Sequence, residues 1–256
     1  MTTFVESVNY RASYERLGPG LVEMQRTIER PDVGVDREAY PVWTIAFGTR
    51  IDGPVYLARP GTRVQVRTGS AVFVPPFRIV EWQVGPGRID YIAYLSRSAL
   101  PADMPGEPIL FPVDRFVRPR TEADLFALVR ARRSETPVSA EEPPSALARR
   151  VKDALDRSFP ADVRLGDLAA SLRCAHPVLT RYFRRAYGLS PAKYCSMLRL
   201  FEAQMQLLLG GTTVHDVAAG VGFGDVSQFN KQFKALMRAT PSAFKAAIGQ
   251  LLRRSS

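Results

Sequence analysis

The C-terminal part of this 256-residue chain repeats itself. LGDLAASL (165–172) precedes HPVLTRYFRRAYGLSPAKY (176–194), and VHDVAAGV (214–221) precedes DVSQFNKQFKALMRATPSAF (225–244). The apolar positions keep their spacing. Leu168 and Leu172 correspond to Val217 and Val221, and Leu179 and Phe183 to Phe229 and Phe233. Each unit then places a proline eight residues on (Pro191, Pro241) and an aromatic three beyond that (Tyr194, Phe244). A repeat on this scale constrains the fold strongly, because one supersecondary unit must be built twice and both copies must pack on something shared. Each unit reads as a short helix, a tight turn and a longer helix. Between them Ser190 to Leu209 reads as a long connecting helix ended by Gly210-Gly211, with Met197, Leu200, Ala203, Met205, Leu207 and Leu208 as core. Ala146 to Phe159 reads as an amphipathic lead helix, with Leu147, Val151, Leu155 and Phe159 on one stripe.

The longer helix of each unit has two faces. In the second unit Phe229, Phe233, Leu236 and Met237 fall at i, i+4, i+7 and i+8 and share the inner face. Ser227, Lys231 and Lys234 lie opposite, flanked by Gln228 and Asn230. Gly220, Gly222 and Gly224 supply the turn, and Asp225 with Gln228 fits a capping box. In the first unit Leu179, Tyr182, Phe183 and Ala186 are expected inside. Pro177, Arg181 and Arg184 point outward, flanked by Thr180 and Arg185. A helix docked by its apolar side, offering a basic, amide-rich face, is the helix-turn-helix design for reading a DNA major groove. Arg181 is the candidate for a bidentate contact to guanine, while Arg184 and Arg185 suit phosphates. Ser227, Gln228, Asn230 and Lys231 are base-edge candidates. Thr212 and Thr213 open a helix whose first N–H groups could hold a phosphate, with a plain N-cap as the competing reading.

The run GF-G-D-VSQFNKQFK, followed by TP and by Phe244, resembles the signature of AraC/XylS-type transcription regulators. The resemblance extends to the tandem arrangement and covers about 110 of the 256 residues. It implies that the same helix positions face DNA. It implies double-stranded DNA as partner, and leaves RNA polymerase, a small-molecule effector and a second copy of the chain as further partners. It also implies a small cupin-like β-barrel as companion domain, binding an effector or mediating dimerisation. This chain departs from the family pattern at two places. Ala175 and His176 stand where the family has Ser or a similar cap before the first reading helix, a loss of about 1 kcal/mol that Pro177 at the helix start only partly offsets. Arg238 stands where the family has glycine after the second reading helix, whereas Gly188 keeps the pattern in the first.

Charge divides the chain in the same way. Residues 146–256 carry 17 Lys+Arg against 7 Asp+Glu, and residues 1–145 carry 18 against 18, so the whole net charge of +10 lies in the C-terminal part. That asymmetry is the footprint of a nucleic-acid-binding domain joined to a neutral one. In the neutral part VWTIAF (42–47), PVYLAR (54–59), TRVQVR (62–67), AVFVP (71–75), RIVEWQV (78–84) and RIDYIAYL (88–95) read as short strands separated by Gly and Pro, the pattern of an antiparallel barrel or sandwich. Leu21 to Ile28 reads as a strand or a helix turn. Thr121 to Arg133 reads as a helix, serving dimer contact or as a lid. Ser134 to Ser145 is rich in Pro, Ser and Glu and reads as a linker. The expected fold is therefore α+β: a cupin-like β-barrel over 1–135, a linker over 136–145, and an all-α domain with two helix-turn-helix units over 146–256.

The residue inventory argues against catalysis. Both histidines, His176 and His215, and both cysteines, Cys174 and Cys195, lie in the C-terminal part, so the β-domain has no imidazole or thiolate for a metal and no His or Cys for catalysis. No metal and no cofactor are expected. The alternative is a metal-free enzyme or a small-molecule-binding β-domain with DNA targeting, for which carboxylates such as Glu81 and Asp90 are all that is on offer. Trp43, Tyr56, Phe73, Trp82, Tyr91 and Tyr94 are core aromatics or pocket lining. Two cysteines are too few for a disulfide framework. No apolar run is long enough for a membrane span, and the N-terminus lacks a signal-peptide core, so a cytoplasmic location is expected.

Overall fold

In the computed structural model of the chain, residues 3–7, 9–59, 62–132, 137–138, 143–161, 163–210 and 213–252 are described. Eleven strands come first: β1 (Thr3–Ser7), β2 (Tyr10–Arg16), β3 (Leu21–Arg30), β4 (Gly34–Glu38), β5 (Trp43–Ile51), β6 (Val55–Arg59), β7 (Thr62–Val66), β8 (Ser70–Val74), β9 (Val80–Val84), β10 (Gly87–Ser96) and β11 (Ile109–Pro112). Helices follow: α1 (Glu122–Arg130), α2 (Ala146–Ser158), α3 (Leu165–Ser171), α4 (His176–Tyr187), α5 (Pro191–Leu209), α6 (Val214–Gly220), α7 (Val226–Met237) and α8 (Pro241–Leu252). The expected α+β class holds, with strands in the N-terminal region and helices in the C-terminal one.

The strands form two antiparallel sheets, ordered β1-β2-β3-β10-β5-β8-β11 and β4-β9-β6-β7. Alternation along each strand sends successive side chains to opposite faces. On β3 the even positions Met24, Arg26, Ile28 and Arg30 face the space between the sheets. Glu23 points the other way and meets Arg118, with Tyr94 Oη donating to it at 3.0 Å. The outer face of the large sheet carries Trp43, Ile45, Phe47, Phe73, Tyr94 and Phe111. It is covered by Leu125, Phe126 and Val129 of α1. Helix α1 is therefore a cover for the back of that sheet. Its start is the expected one: Thr121 and Asp124 form a capping box. Arg133 and most of the linker stretch lie outside the described residues. Within that stretch Pro137 bridges to Ile109, and Val138 is buried in the apolar cluster shared by the two sheets.

The helical region is built round α5, which buries 12 of its 19 residues. Helices α2, α4, α6, α7 and α8 all pack on it. Its remaining side meets the strands. Phe201 lies 4.0 Å, centroid to centroid, from Tyr40, and Gln204 Nε2 donates to Tyr14 Oη at 3.1 Å. Tyr14 also meets Phe244 of α8 edge-on at 5.2 Å. Glu202, buried on α5, is paired with Arg97 of the strand region. Tyr194 Oη bridges to Asp156 Oδ1 at 2.6 Å and to the Phe77 carbonyl at 3.2 Å. One hydrophobic core thus runs from β2, β3 and β10 through the helices. Gly210 ends α5, as expected; Gly211 lies outside the described residues.

Candidate nucleic-acid interface and ligand cavity

Both repeat units fold as the spacing predicts. Helices α3 and α4 form the first, and α6 and α7 the second. Leu179 and Phe183 of α4, and Phe229, Phe233 and Met237 of α7, are buried. The aromatics that follow each unit close the same cores: Phe183 meets Tyr194 at 5.7 Å, and Phe233 meets Phe244 at 5.6 Å. Burial of the inner stripe fixes which residues look outward. On α4, Pro177, Arg181, Arg184 and Arg185 are exposed, while Thr180 is half-buried. On α7, Ser227, Gln228, Asn230, Lys231 and Lys234 are all exposed. Tyr182, expected on the inner face of α4, is 38% exposed and lies beside Arg181, whose guanidinium is 5.6 Å from its ring. Its position in the turn carries it past the edge of the apolar stripe.

The caps differ between the units. Helix α4 starts from Ala175 with no side-chain cap, and Pro177 sits one residue inside its first position. Helix α7 is capped by Asp225, whose Oδ1 accepts from the Ser227 N–H at 2.7 Å. The partner is thus Ser227, at the second helical position, and not the Gln228 of the expected box. Thr213 is committed to its own capping box with Asp216, and Thr212 lies outside the described residues. The second unit is also tied to α5, where Ser196 donates to Gln232 of α7. Arg184 has a further neighbourhood. With Arg37, Gly188 and Lys193 it borders a cleft of about 270 Å³ between β4 and the first unit.

A second feature lies between the sheets: a cavity of about 580 Å³. Valines dominate its walls, and Trp82 and Tyr91 line it. Trp43, Phe73 and Tyr94 belong instead to the core under α1. Tyr56 stacks with Arg63, 3.8 Å from guanidinium to ring centroid. The cavity reaches the helical region, where Met197 and Leu200 of α5 and Gln232, Leu236 and Arg238 at α7 complete the wall. Its polar groups, Tyr10, Arg26, Glu38 and Tyr40, escaped sequence reasoning. The signal available was an arginine in the middle of an otherwise alternating strand, and the strand itself was ambiguous. Burial raises the Glu38 carboxyl above its ordinary range, against the opposing pull of Arg26 and of its hydrogen bond from Tyr40. Among the described residues no group of three or more His, Cys, Asp and Glu is placed to hold a metal. No described helix is long and apolar enough to cross a membrane.

Residues 168–247 match the family model described as a helix-turn-helix domain. The raffinose operon transcriptional regulatory protein RafR of Pediococcus pentosaceus is 30% identical over 95 residues, covering 37% of this chain and 34% of that protein. The HTH-type transcriptional activator RhaS of Pectobacterium carotovorum is 26% identical over 91 residues, 36% of this chain and 33% of that one. The chain thus spans about a third of the length of these curated relatives. A likeness of fold extends further. The crystal structure of unsaturated fatty acid bound ToxT from Vibrio cholerae aligns over 90% of this chain and 96% of its own, with a TM-score of 0.52 and 13% identity. These comparisons bear out the resemblance read from residues 217–245, and the fold likeness takes in the strand region as well.

Proposed function

We propose that this chain, whose C-terminal region is a helix-turn-helix domain of the AraC/XylS type, is a sequence-specific, DNA-binding transcription regulator whose strand region senses a small molecule. The observation that carries this reading is the pair of reading helices, α4 and α7, set on one buried helix with their polar, basic faces exposed. Two such helices in one unit suit two successive major grooves on one face of the duplex, with half-sites about 10–10.5 base pairs apart. Arg181 would read guanine, and Ser227, Gln228, Asn230 and Lys231 the base edges of the second groove. Pro177, Thr180, Arg184, Arg185 and Lys234 would set register on sugar and phosphate. Thr213 has both its hydroxyl and its backbone N–H engaged with Asp216 in its cap, which favours the plain N-cap over a phosphate contact.

The division into 1–135, 136–145 and 146–256 is part of the same reading, as are a cytoplasmic location and the absence of catalysis. RNA polymerase and a second copy of the chain are partners of the regulator so conceived. ToxT is described with a bound unsaturated fatty acid. The cavity between the sheets here is the place for an effector, and its wall includes residues of α7 and of the turn after it. Occupancy would therefore bear directly on the second reading helix. Hydroxyl-radical footprinting of the full chain on a selected operator tests the reading: two protected grooves per monomer one turn apart are expected, and protection of a single groove would refute the two-helix version.

A further inference from the structure

The geometry points to an organic acid with an apolar body as the occupant of the cavity between the sheets, its carboxylate held by Arg26 and Tyr10. The inference rests on the reading of the strand region as a sensor and names the chemistry of what it senses. Among the described residues, two buried side-chain polar atoms lack a hydrogen-bond partner: Tyr10 Oη and Arg26 Nε. Both line this cavity. They come from the adjacent strands β2 and β3, and the Arg26 guanidinium lies 5.2 Å from the centroid of the Tyr10 ring and 5.7 Å from that of Tyr91. Both atoms carry a proton to donate, so what is missing is an acceptor. Buried donors left without one are costly, and an ionised acceptor facing a guanidinium makes the strongest hydrogen bonds available.

Several other charged groups on the wall are occupied, and Lys193 and Arg238 stand at its helical end. Arg30 is paired with Asp36 and Arg37 with Glu81. Glu38 faces the same space, but its Oε2 already accepts from Tyr40 Oη at 3.1 Å and Trp82 Nε1 at 3.2 Å. The rest of the wall fixes the body of the ligand. Val55, Val66, Val72, Val74, Val80 and Val84 offer no hydrogen bond, so a polyhydroxylated molecule would leave its hydroxyls unpaired there. A hydrocarbon or aromatic body would instead bury apolar surface on both sides.

Calorimetric titration of the full chain with octanoate, octanol and octylamine tests this, since the three share a body and differ in head group. Octanoate is expected to bind at least about tenfold more tightly than either of the others. Arg26→Met should lose about ten- to a hundredfold in octanoate affinity while leaving octanol unchanged, the range for a charge-assisted hydrogen bond. Tyr10→Phe removes one oxygen and should give a smaller loss of the same selectivity. It decides the matter if Arg26→Met does not fold. Equal binding of all three probes, a preference for octylamine, binding of none of them, or indifference to both substitutions would overturn the inference. DNA affinity is measured separately on the same preparations by fluorescence anisotropy. A chain that binds DNA but shows no carboxylate selectivity sinks the ligand assignment alone. A chain that holds octanoate through Arg26 but binds no DNA sinks the regulator reading alone.

Discussion

Arg238 holds the left-handed backbone that Gly188 holds at the equivalent place in the first unit, with φ 61° and ψ 9° against φ 74° and ψ 0°. The turns show the converse exchange: Arg173, at φ 54°, stands where the second unit has Gly222, at φ 83°. Each unit thus keeps glycine at one of its two left-handed positions and places arginine at the other. A residue with a Cβ is strained there by about 1–2 kcal/mol. Arg238→Gly is therefore expected to raise stability by about 0.5–1 kcal/mol, the gain being trimmed by the greater freedom of glycine in the unfolded chain. Gly188→Ala should cost about 1–2 kcal/mol, because a Cβ there would also come within 2.4 Å of Arg37 Nε. Urea denaturation midpoints check both; a loss of stability in Arg238→Gly would show that the Arg238 side chain outweighs its backbone strain.

Arg181 and Arg184 lie on the same exposed face of α4 yet should fail differently. Arg181→Ala is expected to relax selection at one or two base pairs and to cost about 1–3 kcal/mol on the best site. Arg184→Ala should weaken all sequences alike and reduce the slope of log K against log salt by about 0.9. Arg63→Ala, in the strand region, should leave that slope unchanged. Randomised-site selection and a salt series measure the two quantities, and uniform weakening by Arg181→Ala would identify it as a phosphate contact.

Phe201 is 3% exposed and packs on Tyr40 across the seam between strands and helices. Truncation to alanine is expected to cost about 3–5 kcal/mol. Because the lost contact belongs to both regions, calorimetry should show the strand and helix regions melting at separate temperatures, where the parent chain should give one transition. A single transition merely shifted downward would place the loss within the helices.

Glu23 is buried and accepts from Arg118, from Gln25 Nε2 and from Tyr94 Oη. Burial alone would raise its pKa, but these bonds, with the charge of Arg118, hold it below the usual carboxylate value. The unfolded chain therefore takes up the proton first as pH falls. The stabilisation is complete above the ordinary glutamate range and is lost as pH drops through the lower, folded value. Glu23→Gln should be less stable by about 2 kcal/mol at neutral pH, and the deficit should shrink as pH falls below about 4.3. A deficit that stays constant down to pH 3 would contradict the assignment.

Residue spacing alone was enough to place the helical half and the polar, basic face that each longer helix exposes. Helical periodicity is local, so Phe229, Phe233 and Met237 could be assigned inside and Ser227, Lys231 and Lys234 outside from spacing alone. The repeat then doubled the signal. Six strands from Trp43 to Ser96 were legible from alternation and turn residues, but β1, β2, β4 and β11 were not, and β3 was ambiguous. Strands draw their stability from partners distant in sequence, and their alternation is blurred where both faces are covered, as on β3 with Glu23 behind and Arg26 in front. Only the tertiary structure decided that α1 covers the back of the large sheet, that α5 serves as core for both regions, and that Tyr10 and Arg26 share a cavity with α7. Each of these is a meeting of faces whose residues are separated by tens to hundreds of positions. Periodicity says which side of an element is apolar; it does not say which other apolar side will cover it.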